Sequence, residues 1–260
     1  MHKYAPEDVL ETFFAAHRKC ENSDSLSLLR QRVKEKPEDL DARLALVGRL
    51  FENRSTSIRK HLIWLIDNHP RHSAHSFITL YKETPMYSEA RDHWLRQLEE
   101  NPNDIAVIFH AGVFFKILHS DDSARLFQSA ADLDPTNEEF PLRLSKLFQG
   151  KARYDFSENG RSYARKAVQQ MLIAIDRYTV PSTLDSYLLP YFRMELSEVA
   201  ELAINHNLLE EARQLADLLI NHQAINEVRF DRGPLDAKRY SHSVSIGRAI
   251  LERIAATSDR

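Results

Sequence analysis

The sequence predicts an all-α chain of stacked helical hairpins. Prolines fall at Pro37, Pro70, Pro102 and Pro135, at spacings of 33, 32 and 33 residues, and each stands between an apolar helix end and a new helix start. Counting back from each proline, the eighth residue is large and apolar: Leu29, Leu62, Trp94 and Phe127. Self-similarity at this period marks helical hairpins that bury their faces only by stacking. Glycine is scarce, at 6 of 260 residues, which argues against a dinucleotide-binding or all-β fold.

The clearest unit runs from Asn101 to Pro135. Its first helix places Ile105, Ile108, Ala111, Gly112 and Phe115 at spacings of three and four, on one face. The polar turn HSDDS offers Asp121, Asp122 or Ser123 as an N-cap. The second helix carries Leu126, Phe127, Ala130 and Ala131 inward.

The rest follows in chain order. Residues Pro6 to Cys20 form a helix with Val9, Phe13, Phe14 and Ala16 inward. Asp24 or Ser25 caps its partner, which carries Leu26, Leu28, Leu29 and Val33. The second hairpin, Pro37 to His69, places Leu40, Leu44, Val47, Gly48 and Phe51 on its first helix. Its second helix carries Leu62, Ile63, Trp64 and Leu65. Gly48 costs up to ~1 kcal/mol in a helix and points to a close crossing. The third hairpin carries Phe77, Leu80 and Tyr81, a turn with Pro85, then Ala90, Trp94, Leu95 and Leu98.

After Pro135 the period breaks. A helix from Asn137 to Gln149 tolerates Pro141 in its first turn. Gly150 to Gly160 reads as a long insertion, followed by an amphipathic helix from Arg161 to Arg177. A hairpin from Thr183 to His222 contains Pro190 as a kink. Gln223 to Pro234 is a second long connection, and Leu235 to Ala256 forms a terminal helix suited to cap an array. The chain thus reads as four hairpins in 1–134 and a divergent continuation with a cap in 135–260.

The charge is balanced, −3 in total and evenly spread, which leaves no electrostatic footprint for nucleic acid or an acidic membrane. One cysteine, Cys20, excludes an internal disulfide and a cysteine metal set. The start MHKYAPEDVLETFF lacks the features of a secretion signal, and no stretch reaches membrane-spanning length. A cytoplasmic location is expected. His69, His72 and His75 are the densest histidine group, yet neither a cysteine nor a carboxylate completes a metal set. No nucleophile elbow and no phosphate-cradling glycine loop is present. The paired carboxylates sit at helix ends or exposed faces, where solubility and helix-dipole roles suffice. Neither an enzyme, a cofactor nor a metal is expected.

Ala111-Gly112, Phe115, Phe127, Ala130 and Pro135, with Gly48, Phe51, Ala90 and Trp94, resemble the tetratricopeptide repeat (TPR) family. LLPYF and SIGRAILERIA look like phrases of divergent bacterial TPR proteins with no assigned activity. The resemblance implies a superhelical array of antiparallel helix pairs, an α-solenoid with a C-terminal capping helix. It also implies a concave groove that binds a protein or peptide, as in an adaptor or assembly factor. By that resemblance the groove takes Arg49, Phe77, Tyr81, Phe109, His110, Val113, Lys116, Arg143 and Lys146. The asparagine of the TPR clamp for C-terminal carboxylates is missing at the matching positions. The two long connections offer a second surface: Arg153, Tyr154 and Phe156 in one, Arg229, Phe230 and Arg232 in the other. Exposed arginine–aromatic pairs also serve RNA stacking, which keeps RNA binding open as an alternative. A regulatory helical domain for an enzyme on a separate chain, and self-association through the last helix, are the others.

Overall fold

The computed structural model describes residues 25–53, 55–72, 85–178, 188–221 and 234–258, and among these every regular element is a helix. The helices are α1 (Leu26–Glu35), α2 (Leu40–Glu52), α3 (Ile58–Asn68), α4 (Pro85–Glu100), α5 (Ile105–Phe115), α6 (Ser120–Leu133), α7 (Glu139–Ala152), α8 (Glu158–Arg177), α9 (Leu188–Asn205), α10 (Leu209–Asn221) and α11 (Pro234–Ser258). Among the described residues the fold is all-α, built of helices that pack on their neighbours in chain order. It divides into two compact units, His2–Leu133 and Asp134–Arg260.

The repeated prolines have one local cause. In each copy the residue before proline accepts a hydrogen bond from the amide two places after it. The amides are Asp39, His72, Asp104 and Asn137, and the acceptors are the carbonyls of Lys36, His69, Asn101 and Asp134. Proline at the second position of such a turn has its φ pre-set. After Pro37 and Pro102 the residue two places on caps the next helix. Asp39 accepts from the Ala42 amide at 2.9 Å, and Asp104 from Ala106 and Val107 at 3.0 and 3.2 Å. Asn137 accepts from Glu139 at 2.9 Å. Asp39 and Asp104 thus satisfy helix-start amides that have no partner within the helix, while Asn137 lies one place before the cap position Glu138.

In the first unit each helix packs on the next, from α1 through α6. The four residues at the repeated position, Leu29, Leu62, Trp94 and Phe127, are all fully buried. Around Trp94, the Tyr87 ring stacks on Phe114 with centroids 4.5 Å apart. Each fully buried side chain of this size contributes about 2–3 kcal/mol of apolar transfer.

Short connections force antiparallel pairs. Between α5 and α6, Gly112 meets the Phe127 ring and Ser123 Oγ donates to the Gly112 carbonyl at 2.7 Å. Ser120 already opens α6, so Asp121 and Asp122 lie in its first turn rather than at a cap. There their charge faces the positive end of the helix dipole. Ser123 is not a cap either, since it is spent on the α5–α6 crossing. Gly48 is half-buried. Leu28 and Leu95, expected inward, are 41% and 44% exposed, because the neighbouring helix covers the adjacent stripe. Pro85 begins α4 rather than lying in a turn, the position where its missing N–H costs nothing.

In the second unit α7 packs on α8, α8 on α9, α9 on α10 and α10 on α11, with further contacts between α7 and α9, α8 and α10, and α9 and α11. Each helix thus touches the next one and the one after, as stacked pairs do. Ala167, Met171, Leu196, Ala200, Leu215 and Ile250 lie at the centre of its core. Ser145 Oγ ties α7 to the Ala167 carbonyl of α8 at 2.8 Å. Pro190 falls in the first turn of α9, so it starts that helix instead of kinking it. The α9–α10 turn closes through Asn207 at φ 55°, with the Leu208 amide on the Ala203 carbonyl at 2.8 Å. Asparagine is among the few residues that tolerate this left-handed backbone.

Candidate functional site

The expected groove residues go to different places. Phe109, His110 and Val113 are buried, because α5 is covered on all sides along its second half. The Phe109 ring packs on Phe127 with centroids 5.7 Å apart. As groove anchors these three are corrected: they are core. A helix with apolar residues all round is a buried helix, and the run IAVIFHAGVFF has that character. Lys116, at the end of α5, is exposed. Arg49 is half-exposed and pairs with Glu52 at 3.1 Å. Phe77 and Tyr81 lie outside the described residues.

Arg143 and Lys146 belong to the second unit and are engaged in ion pairs there. Arg143 meets Glu139 at 2.6 Å and Lys146 meets Glu195 at 2.7 Å, and both carboxylates are nearly inaccessible. A buried carboxylate without its cation would be strongly unfavourable, so these two cations have structural work to do.

The turn between α7 and α8 shows a different pattern. The helices extend to Ala152 and from Glu158, so the expected long insertion Gly150 to Gly160 is a turn of residues 153–157. It is held at every step. The Asp155 amide bonds to the Ala152 carbonyl at 3.1 Å, Asp155 Oδ1 accepts from the Ser157 amide at 3.0 Å, and Ser157 Oγ accepts from Asn159 at 3.2 Å. Hydrogen bonding to Ser157 also lowers the Asp155 pKa below the ordinary carboxylate value. A Cβ on Gly160 would fall on the Asp155 carbonyl, so the turn closes only over a glycine.

This fixed turn presents Tyr154 at 85% exposure and Phe156 at 75%. One face of Phe156 rests on the His206 ring, with centroids 5.6 Å apart and planes 20° from parallel. His206 is itself buried, and its Nε2 donates to the Ala152 carbonyl at 3.1 Å. Arg153 reaches Glu198 at 3.4 Å, and Arg161 reaches the Asn207 carbonyl at 3.4 Å. Arg153, Tyr154 and Phe156 are therefore brought together. Arg229, Phe230 and Arg232 lie outside the described residues.

Beside the turn, on the α7–α8 face, lies a group that the sequence reading did not single out. The half-buried rings of Phe148 and Tyr163 stack with centroids 6.2 Å apart and planes 16° from parallel. Lys151 Nζ lies 5.1 Å from the Tyr163 centroid, and Lys166 Nζ lies 5.7 Å from both rings. The available signal was the spacing: Phe148–Lys151 and Tyr163–Lys166 are each three apart on a helix.

Other polar groups have structural explanations. Arg43 is buried with its guanidinium 3.6 Å from the Trp64 ring centroid. It donates to the Pro37 carbonyl at 2.6 Å and to His61 Nδ1 at 3.2 Å. Burial first, and the charge of Arg43 second, depress the His61 pKa to about 4. Asp67 joins α3 to α4 through His93 and Arg96, both at 2.6 Å. His69 and His72 edge a shallow polar depression with Arg71, Gln97 and Asn101, and Arg71 is paired with Asp104. Cys20 and His75 lie outside the described residues. Among the described residues no group of three or more histidine, cysteine or acidic side chains is placed to hold a metal ion. Among them, too, no helix is long and apolar enough to cross a membrane.

No family model matches the chain, and no curated protein matches it. Among solved structures it is similar to a chain in the crystal structure of the APC/C hetero-tetramer Cut9-Hcn1. The identity is 16%, the match covers 88% of this chain and 52% of that one, and the TM-score is 0.28. The chain spans about half the length of that neighbour. A likeness this slight has no bearing on function.

Proposed function

We propose that this protein is a non-catalytic binding module that docks a segment of another protein, and that the α7–α8 turn is a principal contact. One observation carries the reading: Tyr154 and Phe156 are solvent-exposed on a turn whose backbone is fixed. Large aromatics make most of the binding energy of a protein interface when they enter a partner's pocket. Anchors already held in place lose little conformational entropy on docking. The burial of Phe109, His110 and Val113 removes the apolar part of the α5 groove, which moves the expected contact from groove to turn. The same arginine–aromatic chemistry suits RNA. Here, however, Arg153 is paired with Glu198 and Arg161 with Glu158, which weakens the field a phosphate chain would need.

The test is site-specific photo-crosslinking in source-cell lysate. A benzoylphenylalanine at Tyr154 is expected to yield a discrete protein adduct that disappears in the Phe156→Ala background. The same group at exposed Gln128 serves as the control. An identical adduct pattern from both positions, or an RNA adduct alone, sinks the assignment.

A further inference from the structure

The tip of the α7–α8 turn specifies the partner more closely, an inference that rests on the protein-binding reading above. We propose that the turn receives a basic segment, and that an arginine of that segment lies over Tyr154 or Phe156 beside the Asp155 carboxylate.

Three consecutive residues define the tip: an aromatic, a carboxylate and an aromatic. One face of Phe156 rests on His206, yet the ring is 75% exposed, so its other face meets water. Tyr154 is more exposed still. Asp155 accepts from the Ser157 amide at 3.0 Å. Hydrogen bonding to Ser157 first, and the charge of a protonated His206 second, favour its ionised form. Among the described residues Asp155 makes no ion pair, because the arginines on either side of the turn are held elsewhere. Arg153 meets Glu198 at 3.4 Å, and Arg161 meets Glu158 at 3.8 Å and the Asn207 carbonyl at 3.4 Å. Lys151, one helical turn back, lies over the Tyr163 ring.

Adjacent Cα atoms are about 3.8 Å apart, so a partner that covers both rings also covers or borders Asp155. A purely apolar pocket would then strip water from an ionised carboxylate, which is costly unless the partner pairs it. A cation removes that cost and is attracted to the ring faces as well. Arginine does both at once, because its planar guanidinium stacks on aromatic rings and donates to a carboxylate from its edge. A nucleic acid is disfavoured by the same carboxylate, which repels phosphate.

The experiment uses the full chain and a short fluorescein-labelled peptide alternating arginine with serine. Its controls are the same peptide with citrulline, the uncharged isostere, in place of arginine, and a single-stranded RNA of similar length. Anisotropy is expected to show the arginine peptide binding at least about fivefold more tightly than the citrulline peptide. Asp155→Asn keeps an oxygen acceptor for the Ser157 amide, and Tyr154→Leu/Phe156→Leu keeps apolar side chains without ring faces. Each is expected to weaken the arginine peptide at least about threefold. Glu252→Gln removes an equal charge from an exposed position on α11 and is expected to leave binding unchanged. Circular dichroism melts confirm that each variant is folded, and the comparison of the two peptides needs no variant. The proposal is overturned by absence of arginine-peptide binding, by equal affinity for both peptides, or by tighter binding of the RNA. Wild-type affinity in Asp155→Asn or in the leucine variant, or equal weakening by Glu252→Gln, overturns it too. The Tyr154 crosslink separates the two readings. If the adduct forms while the peptides are not distinguished, the protein-binding reading stands and the basic partner falls. If Asp155-dependent binding of the arginine peptide is found without an adduct, the basic site stands and docking of a protein from the lysate falls.

Discussion

The edge of the Phe127 ring lies 2.9 Å from where a Cβ on Gly112 would stand, so the α5–α6 crossing is set by a glycine against an aromatic. Ser123 locks the same crossing through the Gly112 carbonyl. Both contacts come from one hairpin, and their residues are eleven and fifteen positions apart in the chain.

Gly112→Val therefore overpacks the seam. The expected loss is about 1–3 kcal/mol, read as a lower urea midpoint. Shortening the ring with Phe127→Leu in the same chain should recover part of it. A double variant no more stable than additivity allows would place the strain elsewhere.

Gly160→Ala acts on backbone rather than on a side chain. The Asp155 carbonyl has no rotamer to escape into, so the turn must open. A loss of at least about 2 kcal/mol is expected, together with loss of the Tyr154 crosslink. A wild-type melting curve with an unchanged adduct would show that the turn tolerates the methyl group.

His61 supplies a pH dependence. Its pKa is about 4 in the folded chain and about 6.5 when unfolded, so the unfolded state holds the extra proton between those values. The stabilisation is complete above the unfolded value and is lost as pH falls toward 4. The slope is at most about 1.4 kcal/mol per pH unit from this group. Because Nδ1 accepts from Arg43, protonation also places two cations together in a buried site. His61→Gln keeps an acceptor without titrating. Urea unfolding of that variant should be less pH-dependent than wild type over this range. Parallel curves would assign the dependence to the carboxylates instead.

Much of the local structure was legible in the sequence. The proline period located the turns, and Leu29, Leu62, Trp94 and Phe127 all proved to be core. Ser25 caps α1 as one of two expected candidates. The turn at 153–157 was misread because GKARYDFSENG contains two glycines and polar residues, which resemble a loop. Yet Gly150 lies within α7, and Gly160 lies within α8 where it serves the close approach of Asp155.

By itself the sequence determined what depends on near neighbours. Helix starts, caps and proline turns are made by groups within a few residues of one another, so their chemistry can be read from order alone. Tertiary structure decided exposure and pairing. Phe109, His110 and Val113 sit on a helix whose pattern suits either a groove or a core, and only the surrounding helices make it core. Tyr154 and Phe156 could have folded inward, but the clamp of Gly160, Ser157 and His206 holds them out. Lys151 and Tyr163 are twelve residues apart in the chain and meet because α7 packs on α8. Burial and cross-helix contact depend on what arrives from distant sequence, which no local pattern encodes.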